Sequence, residues 1–160
     1  MFKIGDYITH PMHGAGVIES IVTKKINGSQ RDYYVLKLPV GDMVVMVPVS
    51  GCEHIGVRSI ISRSEAEKLF SAFSEIEISM TQNWNKRYRE NMDKIKSGNL
   101  LDVASVVKGL MCRDSERGLS TSERKMLHSA KQILISELVI ATDMDYDGVE
   151  KRLCAALKEG

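Results

Sequence analysis

Apolar residues in the first third of the chain fall in short β-branched runs broken by turn residues; further on they fall at helical spacing. The first region covers residues 3–57. It opens with Ile4-Gly5-Asp6-Tyr7-Ile8, passes through the turn-rich His10-Pro11-Met12-His13-Gly14-Ala15-Gly16, and continues in the runs 17–22 and 24–26. Asn27-Gly28 follows. Both residues tolerate positive φ, so the pair predicts a tight hairpin into the run 33–38. Pro39 ends that run, and Gly41-Asp42 predicts the turn into 43–47. Four or five short strands in about 55 residues predict a small, strongly bent sheet or barrel of the SH3 or Tudor kind. Met43 and Met46 read there as core side chains first. A barrel this small has little room for a catalytic pocket.

Beyond Arg58 the period changes. Ser64-Glu65-Ala66-Glu67 fits a capping box ahead of Leu69, Phe70 and Phe73. Residues 74–82 are polar and read as a connector. From Asn83 onward, Trp84, Tyr88, Met92 and Ile95 fall at i, i+4, i+8 and i+11 of a helix, with Lys86, Arg87 and Arg89 pointing off its flanks. Ser97-Gly98 stops this helix, since glycine suits the left-handed position after a helix end. Asn99 is placed to cap the next one, whose stripe is Val103, Val106, Val107, Leu110 and Met111 and which ends near Gly118. Ser120-Thr121-Ser122-Glu123 is a second capping box. It opens the longest helix, with Leu127, Ala130, Leu134, Leu138 and Ala141 on one face. Asp145 starts a last helix carrying Tyr146, Val149, Leu153 and Leu157. The expected class is α+β: a small SH3/Tudor-like β-barrel over residues 1–60, then an all-α helical bundle over residues 61–160.

Composition changes this picture little. Hydrophobic residues at 43% and charged residues at 27% are ordinary globular values, and a net charge of +1 is no global signature of a polyanion binder. Residues 1–60 carry 6 Lys/Arg against 5 Asp/Glu, and residues 61–160 carry 16 against 16, so the asymmetry is not between halves. It is local. Residues 86–96 hold 5 cations to 2 anions, and the only tryptophan opens that helix. Core packing is weakest at a helix start, where free N–H groups and the positive end of the dipole are open to an anion. Trp84 therefore has two readings: a core ring beneath solvated cations, or a flat ring pushed at a base step while cations hold the phosphates.

Other chemistry is thin. Cys52, Cys112 and Cys154 are scattered without CxxC spacing, which predicts reduced thiols and no zinc ribbon. Neither a signal region nor 18 uninterrupted apolar residues occurs, so no secretion or membrane contact is expected. His10, His13, Cys52, Glu53 and His54 are candidate metal donors. Pro11 and Gly14 mark a turn, however, the two sets fall on different strands, and no third ligand is in register, so the histidines read as turn caps and no metal is expected. Cys52 and His54 would share a strand face, but no orienting partner or oxyanion hole stands near them. Gly14 and Gly16 precede a strand and lack the helix and lysine of a phosphate loop. The expectation is a protein that is not an enzyme, with no cofactor and no small-molecule substrate.

Along essentially its whole length the chain resembles the CarD/CdnL bacterial transcription regulators. Gly5-Asp6, Pro11, His13-Gly14 and Gly16 are similar to that family's opening strand-turn-strand, and Asn83-Trp84, Arg87-Tyr88 and Asn91 to its tryptophan motif. Ser97-Gly98, Arg113-Asp114, Glu116-Arg117-Gly118-Leu119-Ser120, Glu123-Arg124-Lys125-Met126-Leu127 and Ala130-Lys131-Gln132-Ile133-Leu134 are similar to its bundle signature. The resemblance implies a Tudor-like domain that binds the RNA polymerase β subunit, with Lys24, Lys25, Val44 and Met46 as the expected contacts. It implies a helical domain that touches promoter DNA at the upstream edge of the transcription bubble, through Asn83, Trp84, Lys86, Arg87 and Arg89. Trp84 takes the place of a minor-groove wedge that keeps the bubble open. The implied location is the bacterial cytoplasm, at the nucleoid through polymerase. Two positions depart from the pattern: His10 stands where tyrosine is expected, and Met46 where some members carry arginine, so that contact rests on apolar packing. Local charge allows only about 3 to 5 phosphate contacts, so DNA binding by the protein alone is expected to be weak and largely non-specific. The rival expectation is a protein-interaction adaptor whose bundle binds another protein, with Trp84 as a hot spot or core residue.

Overall fold

A computed structural model describes residues 1–39, 42–78 and 81–159. Its strands are β1 (Tyr7–His10), β2 (Gly14–Ile26), β3 (Ser29–Lys37), β4 (Val44–Pro48) and β5 (Arg58–Ser59), and they pair antiparallel in the order β4-β3-β2-β1-β5. Asn27 and Gly28, at φ 51° and 83°, make the predicted hairpin turn and set Ile26 opposite Ser29. The first strand starts later than expected: Gly5 at φ 93° and the Asp6 carboxylate, which accepts from Lys3 N at 2.8 Å, hold a turn ahead of Tyr7. The runs 17–22 and 24–26 belong to one strand of 13 residues, because Ser20 to Ile26 pair with β3 without a break; the one register shift lies earlier, between Ile18 and Ser20. Gly41 of the expected turn lies outside the described residues.

Two sequence expectations for this region are corrected. Cys52, Glu53 and His54 are not on a strand; they form the single turn α1 (Cys52–Ile55), bracketed by Gly51 and Gly56 in left-handed conformations. Met43 and Met46 are not core: they are 49% and 36% exposed. Side chains alternate along a strand, and Val47 takes the buried phase of β4, which turns Val44 and Met46 outward. The sheet's own core is Ile8, Ile18, Tyr34, Leu36, Val47, Cys52 and Val57.

Five longer helices follow: α2 (Arg63–Phe73), α3 (Trp84–Lys96), α4 (Leu100–Arg117), α5 (Thr121–Thr142) and α6 (Tyr146–Glu159). The capping box of α2 lies two residues earlier than expected. Ser62 accepts from Glu65 N while the Glu65 carboxylate reaches back to Ser62 N, so Ser64 is already inside the helix. Asn99 caps α4 and Ser120 caps α5, as the sequence predicts, and Gly98 and Gly118 follow helix ends at φ 77° and 75°. Asp145 caps the start of α6 by accepting from Gly148 N at 2.7 Å. A second core gathers Phe73, Val107, Leu110, Leu134, Leu138 and Leu153 between these helices. Lys108 of α4, 6% exposed, holds the start of the connector by donating to the carbonyls of Ser74 and Ile76, both at 2.8 Å. Residues 79 and 80 of that connector lie outside the described residues.

The sheet is seated on α5. Gly14 has φ 95°, and a Cβ there would lie 2.5 Å from Ser136 Oγ and 3.2 Å from the Ile133 Cα, so glycine is what permits the approach. Ala15 N donates to the same Ser136 hydroxyl at 2.9 Å. Gly16 is needed for a second reason: a Cβ would collide with the Lys37 carbonyl. Beside this seam Arg58 forks onto fully buried Glu137 at 2.8 and 3.0 Å, Ile61 N donates to the same carboxylate, and Arg58 Nε reaches the Gly98 carbonyl. One carboxylate thus ties β5, the entry to α2 and α5 together.

Candidate nucleic-acid interface

Asn83 caps α3 by accepting from Lys86 N at 3.0 Å, so its side-chain carbonyl is occupied within the helix start. The first turn of α3 contains no acidic residue to neutralise the positive end of the dipole. Trp84 stands at this tip, 40% exposed. Its indole stacks on Tyr88 with ring centroids 5.2 Å apart and planes 20° from parallel, and its Nε1 donates to Ser120 Oγ at 3.3 Å. The ring is neither core nor loose. Lys86 and Arg89 are exposed on the flanks, as the helical spacing predicts.

Arg87 is not, and this corrects its place among the expected DNA contacts. It is 2% exposed, and its Nε and Nη2 donate to the Glu123 carboxylate at 2.9 and 3.3 Å, while Nη1 donates to the carbonyls of Thr81 and Gln82 at 3.1 and 3.0 Å. Each of its three guanidinium nitrogens donates to the protein, in four hydrogen bonds. Glu123 is equally buried. Burial alone would raise its carboxyl pKa, but hydrogen bonding and charge from Arg87, with Arg113 and Ser120 contributing, hold it below the ordinary glutamate value. A charge buried this deeply persists only because it is paired. Sequence spacing placed Ser120 and Glu123 as a local cap; their reach to α3 it could not show. The same holds for α5's share of the surface: Ser122, Lys125 and Met126 face Tyr88 and Met92 across a cleft of about 230 Å³.

With this geometry in view, residues 68–154 match the family description "CarD, C-terminal domain", and residues 2–61 match "CarD-like/TRCF RID domain". The chain belongs to the CarD family. It is 39% identical over 140 residues to the "Putative transcription factor YdeB" of Bacillus subtilis (strain 168), which spans 88% of this chain and 92% of that one. The CarD-like family is one of transcription factors.

The CarD-like sheet places the second set of expected residues. Register puts Val44 opposite Lys37, Met46 opposite Val35, and Lys24 opposite Arg31, so Lys24, Val44 and Met46 share one sheet face with Tyr33 and Val35. Lys25 has the opposite phase. Among the described residues β4 pairs only with β3, leaving its outer edge open.

The remaining candidates do not assemble. His10 and His13 lie with ring centroids 4.6 Å apart, and His10 Nδ1 accepts from Met12 N at 3.1 Å, the turn-capping role. Burial, then the neighbouring His13, lower the His10 pKa. Among the described residues no three His, Cys, Asp or Glu side chains group as metal ligands. Burial, then Glu53, push the Cys52 thiol up, opposite to what a nucleophile needs. No helix among the described residues is long and apolar enough to cross a membrane.

Proposed function

We propose that this protein binds the RNA polymerase β subunit through the exposed face and open edge of its sheet, and stabilises the open promoter complex through Trp84 at the upstream edge of the transcription bubble. Residues 1–60 then serve as the polymerase-binding unit and residues 61–160 as the DNA-contacting one, in the bacterial cytoplasm and at the nucleoid through polymerase. The observation that carries the reading is the half-exposed indole at an acid-free helix tip flanked by Lys86 and Arg89. A flat ring at such a place can enter the minor groove at a base step while the cations and the helix end hold phosphates. Support for the tether comes from the sheet: Val44, Met46, Val35 and Tyr33 form an apolar strip bordered by Lys24, and an unpaired edge strand supplies main-chain hydrogen bonds. Tethering raises the effective concentration of a weak DNA binder without new contacts. The test is the lifetime of open complexes on one promoter with wild-type protein, with Trp84→Ala and with none. A wild-type extension that Trp84→Ala cuts by about 5- to 100-fold, with polymerase binding intact, is expected. Full activity of Trp84→Ala would transfer the role to an adaptor surface elsewhere on the bundle.

A further inference from the structure

Ser120 lies where three parts of the interface meet. Its Oγ accepts from Glu123 N at 3.2 Å as the cap of α5, accepts from Trp84 Nε1 at 3.3 Å, and donates to Glu123 Oε1 at 3.4 Å. Glu123 is held in turn by Arg87, and Arg87 by the carbonyls of Thr81 and Gln82 just ahead of α3. A continuous hydrogen-bonded path therefore runs from the backbone preceding the helix, through a buried ion pair, to the indole N–H. Tyr88 covers one face of the ring. With one face stacked and its N–H bound, the indole has neither side-chain torsion left free.

We propose that Ser120 is a positioning residue for Trp84: its hydroxyl, oriented by the Glu123–Arg87 pair, holds the indole at one rotation with its uncovered face toward solvent, ready to stack on a base step. The proposal rests on the wedge reading above. A free exposed side chain loses rotamer entropy when it stacks, whereas a ring already fixed has lost it during folding. Because the N–H is consumed inside the protein, the ring meets DNA through its π-surface, which every base can match, and not as a hydrogen-bond donor that reads base edges.

The test uses the intact chain, whose single tryptophan makes every indole signal a report on Trp84. Ser120→Gly removes the hydroxyl yet leaves a residue well tolerated as a helix cap, and Ser120→Thr keeps a hydroxyl at the same place. In Ser120→Gly the indole N–H resonance is expected to move and exchange faster with water, fluorescence anisotropy to fall, and open-complex lifetime to shorten by about 2- to 13-fold, the weight of one hydrogen bond. Ser120→Thr is expected to match wild type in all three. The proposal is overturned if Ser120→Gly leaves the indole resonance and anisotropy unchanged, or if Ser120→Thr shortens the lifetime as much as Ser120→Gly. If the ring loosens in Ser120→Gly while neither that variant nor Trp84→Ala changes the lifetime, the positioning of the ring stands and the wedge reading falls.

Discussion

A tryptophan 40% exposed at a helix tip and one buried in a core differ most in what their removal costs. Trp84→Ala gives up the Tyr88 stack and the Ser120 hydrogen bond, each worth about 1 kcal/mol, well short of the roughly 3 to 5 kcal/mol of a core aromatic. Its open-complex effect is expected to fall about 5- to 100-fold, as for one lost base stack, which a melting curve beside a lifetime assay will show. Arg87→Ala is expected to do the reverse. It strands the Glu123 carboxylate in the interior and should cost about 3 to 5 kcal/mol of stability, with DNA effects only in proportion to unfolding. Glu123 also gives this pair a pH dependence. Its pKa is depressed below the ordinary 4.5, so its contribution is complete above that value and is lost as the pH falls through the lower folded-state pKa. The difference in melting temperature between wild type and Glu123→Gln should accordingly be largest near neutrality and shrink in acid below pH 4.5.

Among the elements, the contact between β2 and α5 turns on a single missing side chain. Gly14→Ala forces an L-residue into φ 95° and drives a methyl against Ser136, so it should destabilise the protein by about 1 to 3 kcal/mol. Adding Ser136→Ala should relieve the contact with the hydroxyl but also removes the acceptor of Ala15 N, so the double variant is compared in thermal melts with Ser136→Ala alone, and the difference gives the strain left at residue 14. The sheet face makes its own prediction. Lys24 and Met46 share a face and Lys25 points the other way, so Lys24→Glu and Met46→Glu should each weaken polymerase binding by about tenfold, near 1.4 kcal/mol, with Lys25→Glu changing it less. Titration of β subunit against the three variants checks this. Equal losses at Lys24 and Lys25, with none at Met46, would mean that charge near the hairpin tip matters and the face does not.

Over the whole molecule, the proposed reading gives phosphate contact to Lys86 and Arg89 beside Trp84, with Lys125 across the cleft. DNA affinity of the free protein should therefore be weak and decline with salt with a slope of about 3, and Lys86→Ala or Arg89→Ala should each lower that slope by about one. The buried Arg87 should contribute nothing to it, measurable in the pair Arg87→Met with Glu123→Leu, which removes both charges together. The hairpin at Asn27-Gly28, the caps Asn99 and Ser120, the helix ends at Gly98 and Gly118, and the change from strand to helix past Arg58 were all legible along the chain. Each depends on residues within a turn or two of one another, where local conformational preference decides. Family motifs likewise mark Trp84 in the sequence itself. Periodicity, however, reports only the angle at which a side chain leaves its helix or strand, never what waits there. Arg87 and Arg89 read alike as flank cations, and it is Glu123, 36 residues away, that draws one inward. Val47 taking the core side turned Met46 to solvent, and the turn between Gly51 and Gly56 took Cys52 off a strand. The sequence by itself determined the five longer helices, the Asn27-Gly28 hairpin, the order from strands to helices and the residue at the tip of α3; the packing of α5 against both halves of the chain decided which cations are free and how the Trp84 ring is held, because those outcomes depend on partners that only the folded chain brings together.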